Sequence, residues 1–90
     1  MNVPLEAQVQ TYLEIYDPLG MAELTPPETL YGPVAAEVVA IMGQSASPEE
    51  LAAGVHRVLY LSYGTQAGHA RNYLGLAQDL WRLKQAQGAG

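Results

Sequence analysis

The residues best suited to chemistry are two histidines and the tyrosines spaced with them. His56, Tyr60 and Tyr63 recur at i, i+4 and i+7, and His69 stands four residues before Tyr73, spacings that align side chains on one side of a helix. An imidazole titrates near neutral pH and can act as general acid or base. Catalysis would also need a nucleophile or carboxylate nearby, and neither histidine has one close in sequence. The pattern fits an amphipathic surface or a core rim, so no catalytic residue is assigned. The carboxylates are equally unpromising as a metal or acid–base site: Glu49 and Glu50 belong to a helix start, Glu6 to the first turn of another helix, and no Glu-x-x-His pair occurs. With no Cys and no His/Cys cluster, no metal site is expected. Gly64-Thr65-Gln66-Ala67-Gly68 superficially resembles a phosphate loop but lacks the lysine and the preceding strand. No cofactor is expected.

The tyrosines are more informative. Phe is absent, so every large aromatic except Trp81 carries a hydroxyl, and a buried hydroxyl needs a partner. Tyr12, Tyr16, Tyr31, Tyr60, Tyr63 and Tyr73 are therefore expected to ring the core or line an interface, with Asp17 the nearest acceptor for several of them.

The elements that must position these groups are helical. Leu5, Val9, Tyr12, Leu13 and Tyr16 predict a first helix over residues 4–16, with Pro4 in its first turn and Asp17-Pro18 ending it. Pro26-Pro27 and Gly32 then punctuate the chain, predicting a long loop as far as Pro33, which either contains a short turn of helix near Met21–Leu24 or has a functional role of its own. A second helix begins at Pro33, buries Val34, Val38, Ile41 and Met42, and ends at Gly43 in a left-handed cap. Ser47-Pro48-Glu49-Glu50 is a capping box opening a third helix that stops at Gly64. Thr65 caps a fourth, running to about Gln85. The fold class expected is all-α: one small four-helix domain over residues 1–86, a long loop between helices 1 and 2, and a flexible tail over 87–90.

The fourth helix is apolar on two stripes, one of Ala67, Ala70, Leu74, Ala77 and Trp81, the other of Tyr73, Leu76, Leu80 and Leu83. Either the larger stripe forms the monomer core, or Tyr73, Leu76, Leu80 and Leu83 are an interface covered by a second chain. A homodimer or a protein partner is expected on this ground.

Ninety residues allow one domain hiding roughly 60 to 65% of the unfolded surface, and 49% apolar content with 14% charged excludes simple disorder. Residues 1–50 hold Glu6, Glu14, Asp17, Glu23, Glu28, Glu37, Glu49 and Glu50 and no Lys or Arg, a charge of -8. Residues 51–90 hold Arg57, Arg71, Arg82 and Lys84 against Asp79, a charge of +3. Four scattered cations cannot neutralise a phosphate backbone, so nucleic acid is not an expected partner. The two halves are expected to pair electrostatically within the domain, or the acidic half to face a basic partner. Neither a signal peptide nor a membrane span is visible, which predicts a cytoplasmic protein and no membrane partner.

Three segments in order, Ile15-Tyr16-Asp17-Pro18-Leu19-Gly20, Ser47-Pro48-Glu49-Glu50-Leu51-Ala52 and Ser62-Tyr63-Gly64, resemble the YugE-like family of small bacterial helical proteins of unknown function. That family shows a Trp-Asp-Pro-x-Gly turn, a middle helix, a Ser-x-Glu-Glu-Leu helix start and an aromatic-Gly turn. The resemblance covers about residues 12–64. Tyr16 replaces the family's Trp, and the acidic stretch before helix 2 is reduced to Glu28. The resemblance implies a compact helical fold without an established reaction, and singles out Asp17, Pro18, Gly20, Tyr63 and Gly64. The expected function is a small non-catalytic domain that self-associates or captures a protein, in the manner of an immunity protein or antitoxin. The alternative is a small ligand-binding protein or enzyme with a pocket near Asp17 and Tyr63.

Overall fold

The computed structural model describes residues 4–21 and 23–88, and among them the regular structure is helical throughout. Helix α1 spans Leu5–Tyr16, α2 Pro27–Gln44, α3 Pro48–Tyr63 and α4 Leu74–Gly88; two 3₁₀ turns, Gly64–Ala67 and Ala70–Tyr73, join α3 to α4. The all-α expectation is met, and the first and third helices lie within a residue of their predicted bounds.

The long loop between the first two helices is not found. α2 starts at Pro27 and passes through Pro33, leaving residues 17–26 as the connection. Proline inside a helix removes one hydrogen bond and crowds the carbonyl four residues earlier, which is why Pro33 reads as a helix start. Packing overrides that penalty: Leu30, Tyr31, Val34, Ala35 and Val38 lie on both sides of Pro33 and are all buried, while Pro33 itself faces solvent. Within that connection the Leu24 and Thr25 N–H groups both donate to the Met21 carbonyl at 2.9 Å, a hydrogen-bonded turn where a short turn of helix was one of two expectations; Ala22 lies outside the described residues.

Two helix ends also differ. α2 runs past Gly43 to Gln44, and Ser45 is its extended cap, donating from N and Oγ to the Ile41 carbonyl at 3.0 and 2.7 Å. The serine supplies locally what a left-handed glycine would otherwise provide. α4 does not begin at Thr65, because Gly64 and Gly68 take left-handed φ values of 63° and 70° and break the segment into 3₁₀ turns. At its far end α4 continues through Gly88, past the boundary expected at residue 86; Ala89 and Gly90 lie outside the described residues.

The capping box of α3 forms in a shifted version. Ser47 Oγ accepts from the Glu50 N–H at 3.2 Å, and Glu50 Oε1 accepts from the N–H of Ala46 at 3.3 Å. α3 meets α2 closely at Gly54, where a Cβ would lie 2.5 Å from Ile41 Cγ2. Val9 and Leu13 of α1, Val38 and Met42 of α2, Leu51, Val55 and Leu59 of α3, and Leu76 and Leu80 of α4 share one core.

That core settles the double stripe of the last helix. Tyr73, Leu76 and Leu80 are at most 1% exposed, and Leu83 is half-buried against them. The stripe expected as an interface is thus the inward face of the monomer. The small-residue stripe is divided: Ala67 and Ala77 are buried in the same core, whereas Leu74 remains 40% exposed.

Candidate functional site

Asp17 closes α1 in the left-handed region, φ 45°, with its N–H donating to the Leu13 carbonyl at 2.8 Å. Such a φ is tolerated by Asp and Asn better than by other side-chain-bearing residues. Pro18 and Leu19 turn the chain, and Gly20, at φ 66°, donates from its N–H to the Asp17 carbonyl at 2.9 Å. Tyr31, fully buried on α2, holds this turn: its Oη donates to Asp17 Oδ1 at 2.6 Å and accepts from the Leu19 N–H at 3.0 Å. Burial first, and the bond to Asp17 second, push the Tyr31 phenol far above its ordinary range.

Tyr63 reaches the same helix separately. Its Oη donates to the Leu30 carbonyl at 2.8 Å, one residue beyond the Thr29 carbonyl that loses its helical donor to Pro33. Gly64 follows at φ 63° and ends α3. The five residues singled out by the family resemblance therefore lie at two turns anchored on adjacent residues of α2. The bonds described tie Asp17 and Tyr63 to α2 by separate contacts, and the described depression of the surface lies elsewhere.

One of the two histidines holds the chain between α3 and α4. His56 Nε2 lies 2.8 Å from the Gly68 carbonyl and must donate to it. Its ring meets Tyr73 edge-on at 5.3 Å and Tyr60 at 5.9 Å. Tyr73 Oη donates to the Ala67 carbonyl at 2.7 Å, and burial pushes its phenol up to about 12. His69 is exposed at the start of the second 3₁₀ turn. Among the described residues no group of three or more His, Asp or Glu gathers as metal ligands.

Tyr16, 42% exposed, links α1 to α4 by donating to the Gly75 carbonyl and to Asp79. That hydrogen bond to Asp79 is the main reason its phenol is raised. Expecting every tyrosine at the boundary was too simple: Tyr31 and Tyr73 are wholly inside, because each finds an acceptor there. Among the described residues no buried side-chain nitrogen or oxygen lacks a partner.

The remaining site was not found from sequence. Gln8, Thr11, Tyr12 and Ile15 form a row on the outer side of α1 and line an open depression of about 350 Å³. Ile15 is 71% exposed. Thr11 donates its hydroxyl to the Ala7 carbonyl at 3.0 Å. The i, i+3, i+4, i+7 spacing was a legible signal, but it passes for the edge of the buried face when only one helix is considered.

The expected electrostatic pairing of the two halves is absent among the described residues. The ion pair formed there joins Arg82 to Asp79 within α4 at 3.0 Å. Lys84 donates to the Ser45 carbonyl at 2.8 Å and lies over the Trp81 ring at 4.5 Å, so it neutralises no carboxylate by contact. No described helix is long and apolar enough to cross a membrane. Comparison with protein-family models, curated proteins and solved structures returns no match.

Proposed function

We propose that this chain is a small non-catalytic protein-binding domain, either self-associating or capturing a protein partner, with an immunity- or antitoxin-like role as its specific form. The observation that carries the proposal is the open depression on α1, where Ile15 is 71% exposed beside the half-buried Tyr12. A large aliphatic group in contact with water next to an aromatic ring is the kind of anchor that protein interfaces bury. The depression is too open to enclose a small substrate, which pockets for small ligands do over most of its surface. A cytoplasmic location and kinship with the YugE-like family, resting on the turn Asp17-Pro18-Leu19-Gly20, belong to the same proposal.

Photo-crosslinking in the native host tests it. A crosslinking amino acid at position 15 is expected to trap a discrete protein adduct or a dimer, while one at Gln78, exposed on α4, traps less. Equal, diffuse labelling from both positions overturns the reading.

A further inference from the structure

The outer face of α3 carries a pattern that is complementary to itself. Glu50, Ala53, Arg57 and Leu61 recur at spacings of three and four, which aligns them along one side of the helix, with Tyr60 on its flank. All five are exposed, Tyr60 by 49% and Leu61 by 74%. Leu51, Val55, Val58 and Leu59 of the same helix lie in the core, so the two faces of α3 are cleanly divided. The Tyr60 ring stands 5.9 Å from that of His56, which is itself bonded to the Gly68 carbonyl; this anchor is placed before any contact is made.

The charges on this face find no match within the chain. Arg57 has no carboxylate three or four residues away on either side, and the ion pair formed among the described residues joins Arg82 to Asp79. Glu50 Oε1 accepts from the Ala46 N–H at 3.3 Å, a neutral donor that leaves the carboxylate charge intact. Glu50 and Arg57 are seven residues apart, about 10 Å along the helix axis, too far to pair with each other on one helix. A second α3 laid antiparallel, with a two-fold axis midway between residues 50 and 57, brings Glu50 of each copy level with Arg57 of the other. A parallel copy sets Glu50 on Glu50 and Arg57 on Arg57 and is repelled. Ala53 then stands at the crossing, where a small side chain lets two helix axes approach closely. Tyr60 and Leu61 extend past the charges to the start of the other α3. A partner of a single charge sign would match either Glu50 or Arg57 and oppose the other, whereas a second copy matches both.

We propose that the chain forms a two-fold symmetric dimer through the outer face of α3, with reciprocal Glu50–Arg57 ion pairs about Ala53 and with Tyr60 and Leu61 as apolar anchors. An isologous contact of this kind uses the same patch on both copies, and Tyr and Arg are residue types that dominate interface energy. The proposal deepens the self-associating form of the protein-binding reading and places it on a face distinct from the α1 depression. One helix face is smaller than a standard interface of roughly 1,600 Å², so the dimer is a weak one.

Sedimentation equilibrium of the full chain, from micromolar to millimolar concentration, tests it. The parent chain is expected to pass from monomer to dimer. Arg57→Glu, at an exposed position outside the core, should weaken the dimer by about tenfold or more. Glu50→Gln keeps an acceptor for the helix start and should weaken it as well. The double swap Glu50→Arg, Arg57→Glu should restore the dimer, which loss of a merely structural role could not do. Ile15→Ser should leave it unchanged. Circular dichroism melts confirm that each variant is folded, and should the double swap not fold, recovery of a heterodimer on mixing Arg57→Glu with Glu50→Arg, or its absence, decides the pairing. A chain that stays monomeric up to millimolar concentration, or a dimer indifferent to Arg57→Glu, overturns the proposal. A dimer dissociated by Ile15→Ser and not by Arg57→Glu also overturns it, while keeping the protein-binding reading on α1. A monomer that still gives a discrete crosslink at position 15 separates the failure of the dimer from that of the protein-binding reading, and a monomer without one removes both.

Discussion

A phenol carried into a core must donate and can accept, and Tyr31 does both at the turn after α1. Tyr31→Phe leaves the Leu19 N–H without its acceptor, and an unsatisfied buried donor costs about 1 to 3 kcal/mol. Asp17→Asn, by contrast, keeps an acceptor oxygen and tolerates φ 45°, so it should cost little; Asp17→Ala loses both and should cost about 1 to 2 kcal/mol. Urea denaturation of the three variants checks this order, and equal, negligible effects would remove the role assigned to the turn. Tyr73 supplies a pH dependence. Its phenol rises from 10.0 to about 12 on folding, so the fold holds the protonated form. The stability this contributes is fully present below pH 10 and is lost as the pH rises through about 12. Tyr31 acts in the same direction. Thermal melts at increasing alkaline pH should show a decline that Tyr73→Phe makes shallower; an unchanged slope would contradict the assignment.

Helix α2 is the element in which local preference and tertiary packing disagree most. Pro33 lies in its interior and faces solvent, so its ring contributes little packing while the Thr29 carbonyl goes without a helical donor. Pro33→Ala restores that donor and removes a helix penalty of about 3 kcal/mol in an isolated helix, partly offset by the freedom the unfolded chain regains. The expected result is a stabilisation of about 1 to 2 kcal/mol by chemical denaturation, with the Tyr63 bond to Leu30 retained. A loss of stability would mean that the proline shapes the helix for α3. The first turn of α3 is better matched to its sequence: Ser47, Pro48 and Glu50 each occupy the position their chemistry favours.

For the molecule as one body, the consequential result is which apolar groups are inside. Leu80 is fully buried at the centre of the α4 face, so Leu80→Glu should unfold the chain rather than report on association. Leu80→Ala should cost about 2 to 5 kcal/mol. Ile15→Ser and Leu61→Ser, at exposed positions, should each stay within about 0.5 kcal/mol of the parent. Melting temperatures of these variants separate core from surface directly, and a large loss at Ile15 would place it in the core instead of on the docking face.

The helical class, the two cleanest helices and the turn at Asp17 were legible from residues alone, because spacing, prolines and caps act over a few neighbours. Ser47-Pro48-Glu49-Glu50 needs nothing distant to start a helix, and Asp17-Pro18 needs nothing distant to stop one. The start of α2, the break after Gly64 and the burial of Tyr31 and Tyr73 were decided only in three dimensions. Pro33 is helical because core contacts on both sides of it outweigh its local penalty, and each buried tyrosine is inside because the fold brings an acceptor to its hydroxyl. The same holds for the outer row of α1: amphipathic spacing shows that a helix has faces, but only the packing of its neighbours decides which apolar residue is left in water.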